Sequence, residues 1–424
     1  MSMATPTPSS SRARPWADLP TELVEAVVAR LDVFSAARLA AVRAPWARAA
    51  VAATSAWSSS SSLPFGKPCL LLSREEDYGY ASDDEDSDCI YDLLDLGAGD
   101  EAAPTAALLR PLRGRWWVGG RGNWLATVDE LCDARLVNPY TGDRVDLPAF
   151  ATIPDIVVCD TPSPPATAGN DGGYLVVAIV TSRVLAFARG GDRSWTALTN
   201  HRDMWIGYDD AIVHGGKVFA VDCIGNLFAW DLRGGPGGEP EHVPTPRADY
   251  SGSVYQWNLA ESADGRRLLL ACTHGRHVGD GETSSYEFFT QMVKRRFHFH
   301  ADGVRLHELD VDDAAGTVGW RRVTGLGDRA LFLGANWPLW VSVRRGSPEQ
   351  LVRPNCVYVA PGVLFGYPDE DFDVVRYDLG DRSCRQIKLS YADRHGGFYL
   401  PIWFRPALQK WCHAEEAGVP CGMH

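Results

Sequence analysis

The chain has 424 residues and a formal net charge of −13, with 45% of its residues hydrophobic and 22% charged. That is the composition of a globular protein, and the acidic balance excludes a nucleic-acid backbone or an anionic membrane as the main partner. A chain of this length exceeds one ordinary compact core unless the core is a closed array of sheets.

Residues 1–14, rich in Ser, Thr, Pro and Ala, read as a disordered segment. Helical signals then fill 19–56. Pro20 suits a first helical position, where its missing N–H costs nothing, and Glu22 and Glu25 sit near the positive end of that helix. The first helix is apolar on nearly every side, through Leu23, Val24, Ala26, Val27, Val28, Ala29 and Leu31. Ser35 is placed to cap a second helix, "SAARLAAVRA". Pro45 ends that helix and opens a third, "PWARAAVAATSAW". On it Trp46, Ala50, Ala53 and Trp57 form an apolar stripe at helical spacing. A unit this small has more apolar surface than it can bury alone, and the Ser run 58–62 closes it as a hydrophilic joint.

From Leu63 onward short runs of Val, Leu, Phe and Trp alternate with Gly, Asp, Asn and Pro turns, the pattern of short antiparallel strands. A hairpin texture recurs at 134–148, 183–198, 226–244, 305–323 and 373–389. Its first two spacings, about 49 and 43 residues, suit one propeller blade of roughly 40–50 residues, and the longer gaps imply insertions or an unseen blade. Single hairpins expose apolar faces, and radial stacking hides them; a pair of packed sheets is the rival arrangement. Two segments break the rhythm. The stretch 73–92 carries Asp83, Asp84, Glu85, Asp86 and Asp88 and reads as a solvated acidic loop. The stretch 275–303, basic at Lys294, Arg295 and Arg296, reads as an insertion that ends in a strand at 297–300.

Signals for chemistry are weak. The sequence has no phosphate-cradling Gly-x-x-x-x-Gly-Lys-Ser/Thr loop, no His-Glu-x-x-His helix and no Gly-x-Ser-x-Gly elbow. "VGGRGNW" (118–124) leads into a strand rather than a helix and reads as a turn. Cys412, His413, Cys421 and His424 are spaced too irregularly for a zinc site, so no catalytic residue, cofactor or metal is expected. Fifteen Trp read mainly as blade packing. Ten cysteines without a Cys-x-x-Cys pair, no Asn-x-Ser/Thr acceptor and no apolar leader favour free buried thiols in cytoplasm or nucleus. The longest apolar run, "YLVVAIV" (174–180), is too short to cross a bilayer.

The opening stretch resembles an F-box through Trp16, Asp18, Leu19, Pro20, Glu22, Leu23, Val24, Val27, Arg30 and Leu31, then Arg38, Leu39, Ala41, Val42 and Trp46. It departs from the family pattern at Arg43 and Pro45. The stretches "GNWLATVDELCDARLVNPYTGDRVDLP", "GGKVFAVDCIGNLFAWDL", "GWRRVTGLGDRALFLGAN" and "VRPNCVYV" resemble the KIB-type β-propeller that plant F-box proteins carry. The resemblance implies a small all-α F-box of three helices followed by an all-β domain, a six- or seven-bladed β-propeller. Its domains are 1–14, 15–57 (F-box), 58–62, 63–410 (propeller) and 411–424 (tail). It further implies a non-catalytic substrate receptor of an SCF-type (Skp1–cullin–F-box) E3 ubiquitin ligase. Skp1 would be held by Leu19, Pro20, Leu23, Val24, Val27, Leu31, Val42 and Trp46, and cullin would be reached through it. The acidic propeller would take a target protein with a basic face. A propeller module that binds proteins outside a ligase is the alternative the residues leave open.

Overall fold

The computed structural model describes residues 19–28, 30–31, 39, 45–46, 48–50, 68–73, 90–94, 105–122, 124–139, 142–152, 154, 156–159, 174–180, 184–200, 207–232, 238–246, 253–278, 298–312, 317–343, 352–360, 373–388 and 401–404. One α-helix, α1 (Thr21–Val28), precedes a run of strands. The first blade contains β1 (Cys69–Ser73), β2 (Ile90–Leu94) and β3 (Thr105–Leu108), and a 3-10 turn, Arg110–Leu112, leads out of it. The second is β4 (Trp116–Arg121), β5 (Trp124–Val128), β6 (Ala134–Val137) and β7 (Arg144–Asp146). The third is β8 (Ile156–Cys159), β9 (Leu175–Val180), β10 (Val184–Arg189) and β11 (Thr196–Ala197). The fourth is β12 (Tyr208–His214), β13 (Lys217–Asp222), β14 (Leu227–Asp231) and β15 (Glu241–Val243). The fifth is β16 (Ser253–Glu261), β17 (Leu268–Val278), β18 (His298–Asp312) and β19 (Thr317–Arg322). The sixth has five strands, β20 (Arg329–Gly334), β21 (Asn336–Ser342), β22 (Cys356–Val359), β23 (Asp373–Asp378) and β24 (Cys384–Lys388), before β25 (Ile402–Phe404).

Strand order makes this a six-bladed propeller. Blades two to five run in sequence order from the innermost to the outermost strand, and β25 supplies the innermost strand of blade one. The ring is therefore closed by an antiparallel ladder, Cys69↔Phe404, Leu70↔Trp403 and Leu71↔Ile402, between the two ends of the β region. Inner and middle strands are buried on both faces, as in "LVVAIV" of β9 and "VFAVD" of β13. The outermost strands β7, β11 and β15 are two or three residues long and largely polar or exposed, which blunts the free edges.

Apolar clusters lie between the blades and link all six. Leu71 and Phe404 of blade one meet Trp117 and Leu125 of blade two, and Val118 and Ala126 of blade two meet Val176 and Ala178 of blade three. Val177, Phe219 and Trp257 join blades three, four and five. Leu269 and Val304 meet Leu331 and Val375 of blade six, and Phe332 and Tyr358 return to Leu70 and Trp403 of blade one. At that closing seam Phe332 stacks on Tyr358 at 4.6 Å, and Trp403 stands edge-on to Phe332 at 4.9 Å.

The expected fold class needs correction. Among the described residues the protein is nearly all β, with two short helical pieces, α1 and the 3-10 turn, and no three-helix F-box stands at its N-terminus. Beyond α1, the described residues of the N-terminal region that are helical are Leu39, Pro45, Trp46 and residues 48–50. The reason is local: α1 ends after Val28, two turns in, and Arg30 and Leu31 already form a turn and a bend. An eight-residue helix gains little from its own backbone bonds, and amphipathic spacing in the sequence does not supply the packing that would extend it. Among the two blade counts open to the sequence, the ring has six. The expected disordered segment 1–14, Ser joint 58–62, residues 74–89 of the acidic loop expected over 73–92, most of the basic insertion and the tail 411–424 lie outside the described residues. The ends of that loop, Ser73 and 90–92, belong to β1 and β2.

Candidate functional site

The residues expected to hold an adaptor do not all face the same way. The Pro20 carbonyl accepts from Leu23 N at 3.0 Å and Val24 N at 3.2 Å, so Pro20 caps α1 rather than occupying its first turn. The helix then sorts its side chains by spacing. Val24 and Val28 are buried, while Leu23 and Val27, four residues apart, are 53% and 43% exposed. Pro20 is exposed, and Leu19, Leu31 and Trp46 are partly buried. Val42 lies outside the described residues. The structure thus brings Leu23 and Val27 together on an outward stripe beside Pro20, and turns Val24 inward.

The centre of the propeller is filled by its own chain. In blade six β20 runs parallel to β22, opposite to an ordinary inner strand, and β21 folds back from it toward the axis. There β21 touches β4, β8, β16 and β25, the inner strands of four other blades. Asn336 accepts from Trp403 N at 3.1 Å and donates to the Trp337 carbonyl at 2.7 Å. The Arg121 guanidinium lies 4.0 Å over the Trp337 ring, and Trp340 Nε1 donates to the Glu261 carbonyl at 2.9 Å. Among the described residues no group of three or more His, Cys, Asp or Glu is arranged to hold a metal.

Buried carboxylates occupy the start of β12. Asp209 accepts from Trp257 N at 3.0 Å and Asp210 from Leu259 N at 2.8 Å, two inward-facing amides that the β16 ladder cannot reach. A bulge between Tyr208 and Asp210 turns Asp209 toward β16. Burial pushes the carboxyls of Asp209 and Asp210 up to about 7 each, against the lowering effect of the amides they bind. Asp222 raises Asp209 further. Because each of them accepts an amide across a blade boundary, these carboxylates join blades four and five.

Sequence reasoning missed this pair, and its one signal was two consecutive acids opening the apolar run "YDDAIVHGGKVFAVD". It also missed a turn built the same way in two blades. Asp129 Oδ1 accepts from Leu131 N at 3.1 Å and Asp133 N at 3.0 Å. Asp222 Oδ1 accepts from Ile224 N at 3.1 Å and Asn226 N at 2.8 Å. The readable signal was Asp-x-Leu/Ile-x-Asp/Asn between a second and a third strand. Arg115, buried, clamps the first of these turns, with Nη1 donating to Asp129 at 2.9 Å and Nε to Thr127 Oγ1 at 2.9 Å.

The sequence profile described as KIB1-4 beta-propeller matches residues 90–384, well over half of the chain. The chain belongs to the KIB1-4 beta-propeller family. The matched span opens at the first residue of β2 and ends at the first residue of β24. The KIB1-4 profile therefore covers blades two to five whole, and the ring-closing pair β1 and β25 falls outside it. No curated protein matches the chain. Among solved structures the chain is similar to the N-terminal domain of Nup159, at 10% identity over 78% of each chain with a TM-score of 0.28. It is also similar to a chain of a Saccharomyces cerevisiae assembly of Dbp5 with Nup159, Gle1, IP6 and ADP. That likeness has 9% identity, 76% of this chain, 95% of that one and a TM-score of 0.30. The tricorn protease is similar at 12% identity over 73% of this chain and 31% of that one, with a TM-score of 0.32. At such scores these likenesses carry no argument about function.

Proposed function

We propose that the protein is a substrate-receptor subunit of an SCF-type E3 ubiquitin ligase, in which the segment around α1 docks on Skp1 and the propeller holds a target protein. The observation that supports this reading most is the outward pair Leu23 and Val27, 53% and 43% exposed, within the stretch that resembles an F-box. Two apolar side chains turned outward on one helix face leave a stripe that a partner can cover. The receptor makes and breaks no bonds itself. It raises the effective concentration of target lysines near a charged E2 on the same assembly, in cytoplasm or nucleus. The net charge of −13 favours a target with a basic face.

The alternative, a propeller that binds proteins outside a ligase, draws on the inward turn of Val24 and on the shortness of α1, eight residues. Co-purification of cullin with the full chain in the presence of Skp1 separates the two. Recovery of cullin supports the receptor, and a soluble, folded chain that recovers neither Skp1 nor cullin supports the alternative.

A further inference from the structure

Strand direction fixes which turns share a face of the ring. Neighbouring inner strands run parallel, as the pairing Gly119↔Val157 between β4 and β8 shows, and strands alternate within each of blades two to five. The connections between second and third strands therefore all emerge on the face where the inner strands begin. In blade two this connection presents Leu131, in blade three it ends at Val184, and in blade four it presents Ile224. Leu131 is 76%, Ile224 66% and Val184 38% exposed. Among the described residues these are the exposed large apolar side chains of the propeller, the others being Leu23 and Val27 of α1. All three thus fall on one face, on three consecutive blades.

The turns that carry Leu131 and Ile224 are held firmly. Asp129 and Asp222 knit their turns through the amide bonds given above, and Arg115 ties the blade-two turn to the start of β4. Cys132 beside Leu131 has φ 60°, and Gly225 beside Ile224 has φ 89°. An apolar side chain presented on a rigid, conformationally demanding turn is pre-organised for contact.

The exposed charge beside Leu131 is acidic: Glu130 and Asp133 flank it, and the buried Asp222 holds the Ile224 turn from within. Arg183, next to Val184 in sequence, lies outside the described residues; among the described residues the exposed cations of this part of the face, Arg110 and Arg113, stand toward blade one. There the chain leaving Ser73 and returning at Ile90 carries the acid run 83–88. The long connections of blades one, five and six, 74–89, 279–297 and 360–372, are rooted on this same face, and 160–174 of blade three on the opposite one.

Resting on the reading of the propeller as a protein-binding module, we infer that the blade two-to-four arc of Leu131, Val184 and Ile224 is its docking surface, and that it takes a protein segment whose apolar side chains are bracketed by Lys or Arg. Apolar contact supplies the affinity, and the carboxylates favour basic flanks over acidic ones.

The test pans a displayed random-peptide library on the full chain and on the Leu131→Ser/Val184→Ser/Ile224→Ser variant. All three positions are exposed, so an unchanged melting temperature confirms that the variant is folded. The expected result is enrichment of peptides with two or more basic residues beside Leu, Phe or Trp. A fluorescein-labelled selected peptide should bind the triple variant at least tenfold more weakly. Its affinity for the parent chain should fall at least threefold when salt is raised from low to several-fold higher ionic strength. Enrichment of acidic or uncharged peptides, binding indifferent to the variant, or no enrichment would overturn the proposal. So would a concentration-dependent dimer in sedimentation that the variant abolishes, because the arc would then be covered by a second copy. The triple variant keeps α1 intact, so its capture of Skp1 reports on the ligase reading separately.

Discussion

A carboxyl group buried away from any cation is held more cheaply with its proton than without. Asp209 and Asp210 are in that position, with carboxyls pushed up to about 7 each from an unfolded value near 3.8. A raised folded value means that the folded state binds more protons than the unfolded chain between about pH 4 and pH 7. Their contribution is full below pH 4 and lost as pH rises through about 7. Melting temperature should therefore fall by several degrees between pH 4.5 and pH 8. The Asp209→Asn/Asp210→Asn variant, which keeps an oxygen for the Trp257 and Leu259 amides, should flatten that fall. Equal slopes for the two proteins would show that the decline comes from the general acidity of the chain. Gly225 offers a second test at this scale. Its φ is 89°, and a methyl group there would run into the indole of Trp257. Gly225→Ala should cost about 2–4 kcal/mol in denaturant unfolding, through strain and displacement of a buried ring. A cost below about 0.5 kcal/mol would mean that the blade-four turn is not packed on β16 as described.

The element whose loss should matter most is β25. Three residues, Ile402, Trp403 and Phe404, are buried, Trp403 against blade six and Ile402 and Phe404 toward blade two, and complete the ladder of β1. At about 1.5–3 kcal/mol each they contribute roughly 5–9 kcal/mol of gross burial, comparable with the whole stability of an ordinary domain. A chain that stops at residue 400 should melt at least about 10 °C lower than one that stops at 410, or aggregate through the open edge of β1. Equal melting of the two chains, followed by circular dichroism, would contradict closure by β25.

Much of this element level was legible. The five recurrent stretches starting at 134, 183, 226, 305 and 373 are the outermost hairpins, the last two strands, of blades two to six. The hairpin repeats survive because the two strands of each pair follow one another closely in sequence. The widened spacing after 226 comes from the 279–297 connection, and the next from the extra strands β20 and β21 together with 360–372. What stayed hidden is non-local. No period announces that β21 turns into the channel, or that a strand near residue 403 pairs with one near 70. The F-box-like stretch misled for the opposite reason: its apolar spacing predicts three helices, but spacing does not provide the partner surface a marginal helix needs. Leu131 and Ile224 were readable as a spaced motif, yet their exposure follows only from the turn geometry.

At the scale of the whole molecule, the two outward apolar features sit on different parts of the chain. One is the Leu23–Val27 stripe of α1, and the other is the arc on blades two to four. A receptor that links a target to a ligase needs two such surfaces, one for each partner, and a closed ring whose axis is filled by β21 provides a rigid body to carry one of them. On the proposed reading, the net charge of −13 favours a target with a basic face.

The most direct measurement is the affinity of purified Skp1 for the full chain and for the Leu23→Ser/Val27→Ser variant, by biolayer interferometry at matched protein stability. Burying two such side chains is worth roughly 3–6 kcal/mol, more than a hundredfold in affinity. The account predicts saturable binding by the parent chain and a loss of at least that size in the variant. A parent chain that does not bind Skp1, or a variant that binds equally well, would contradict it.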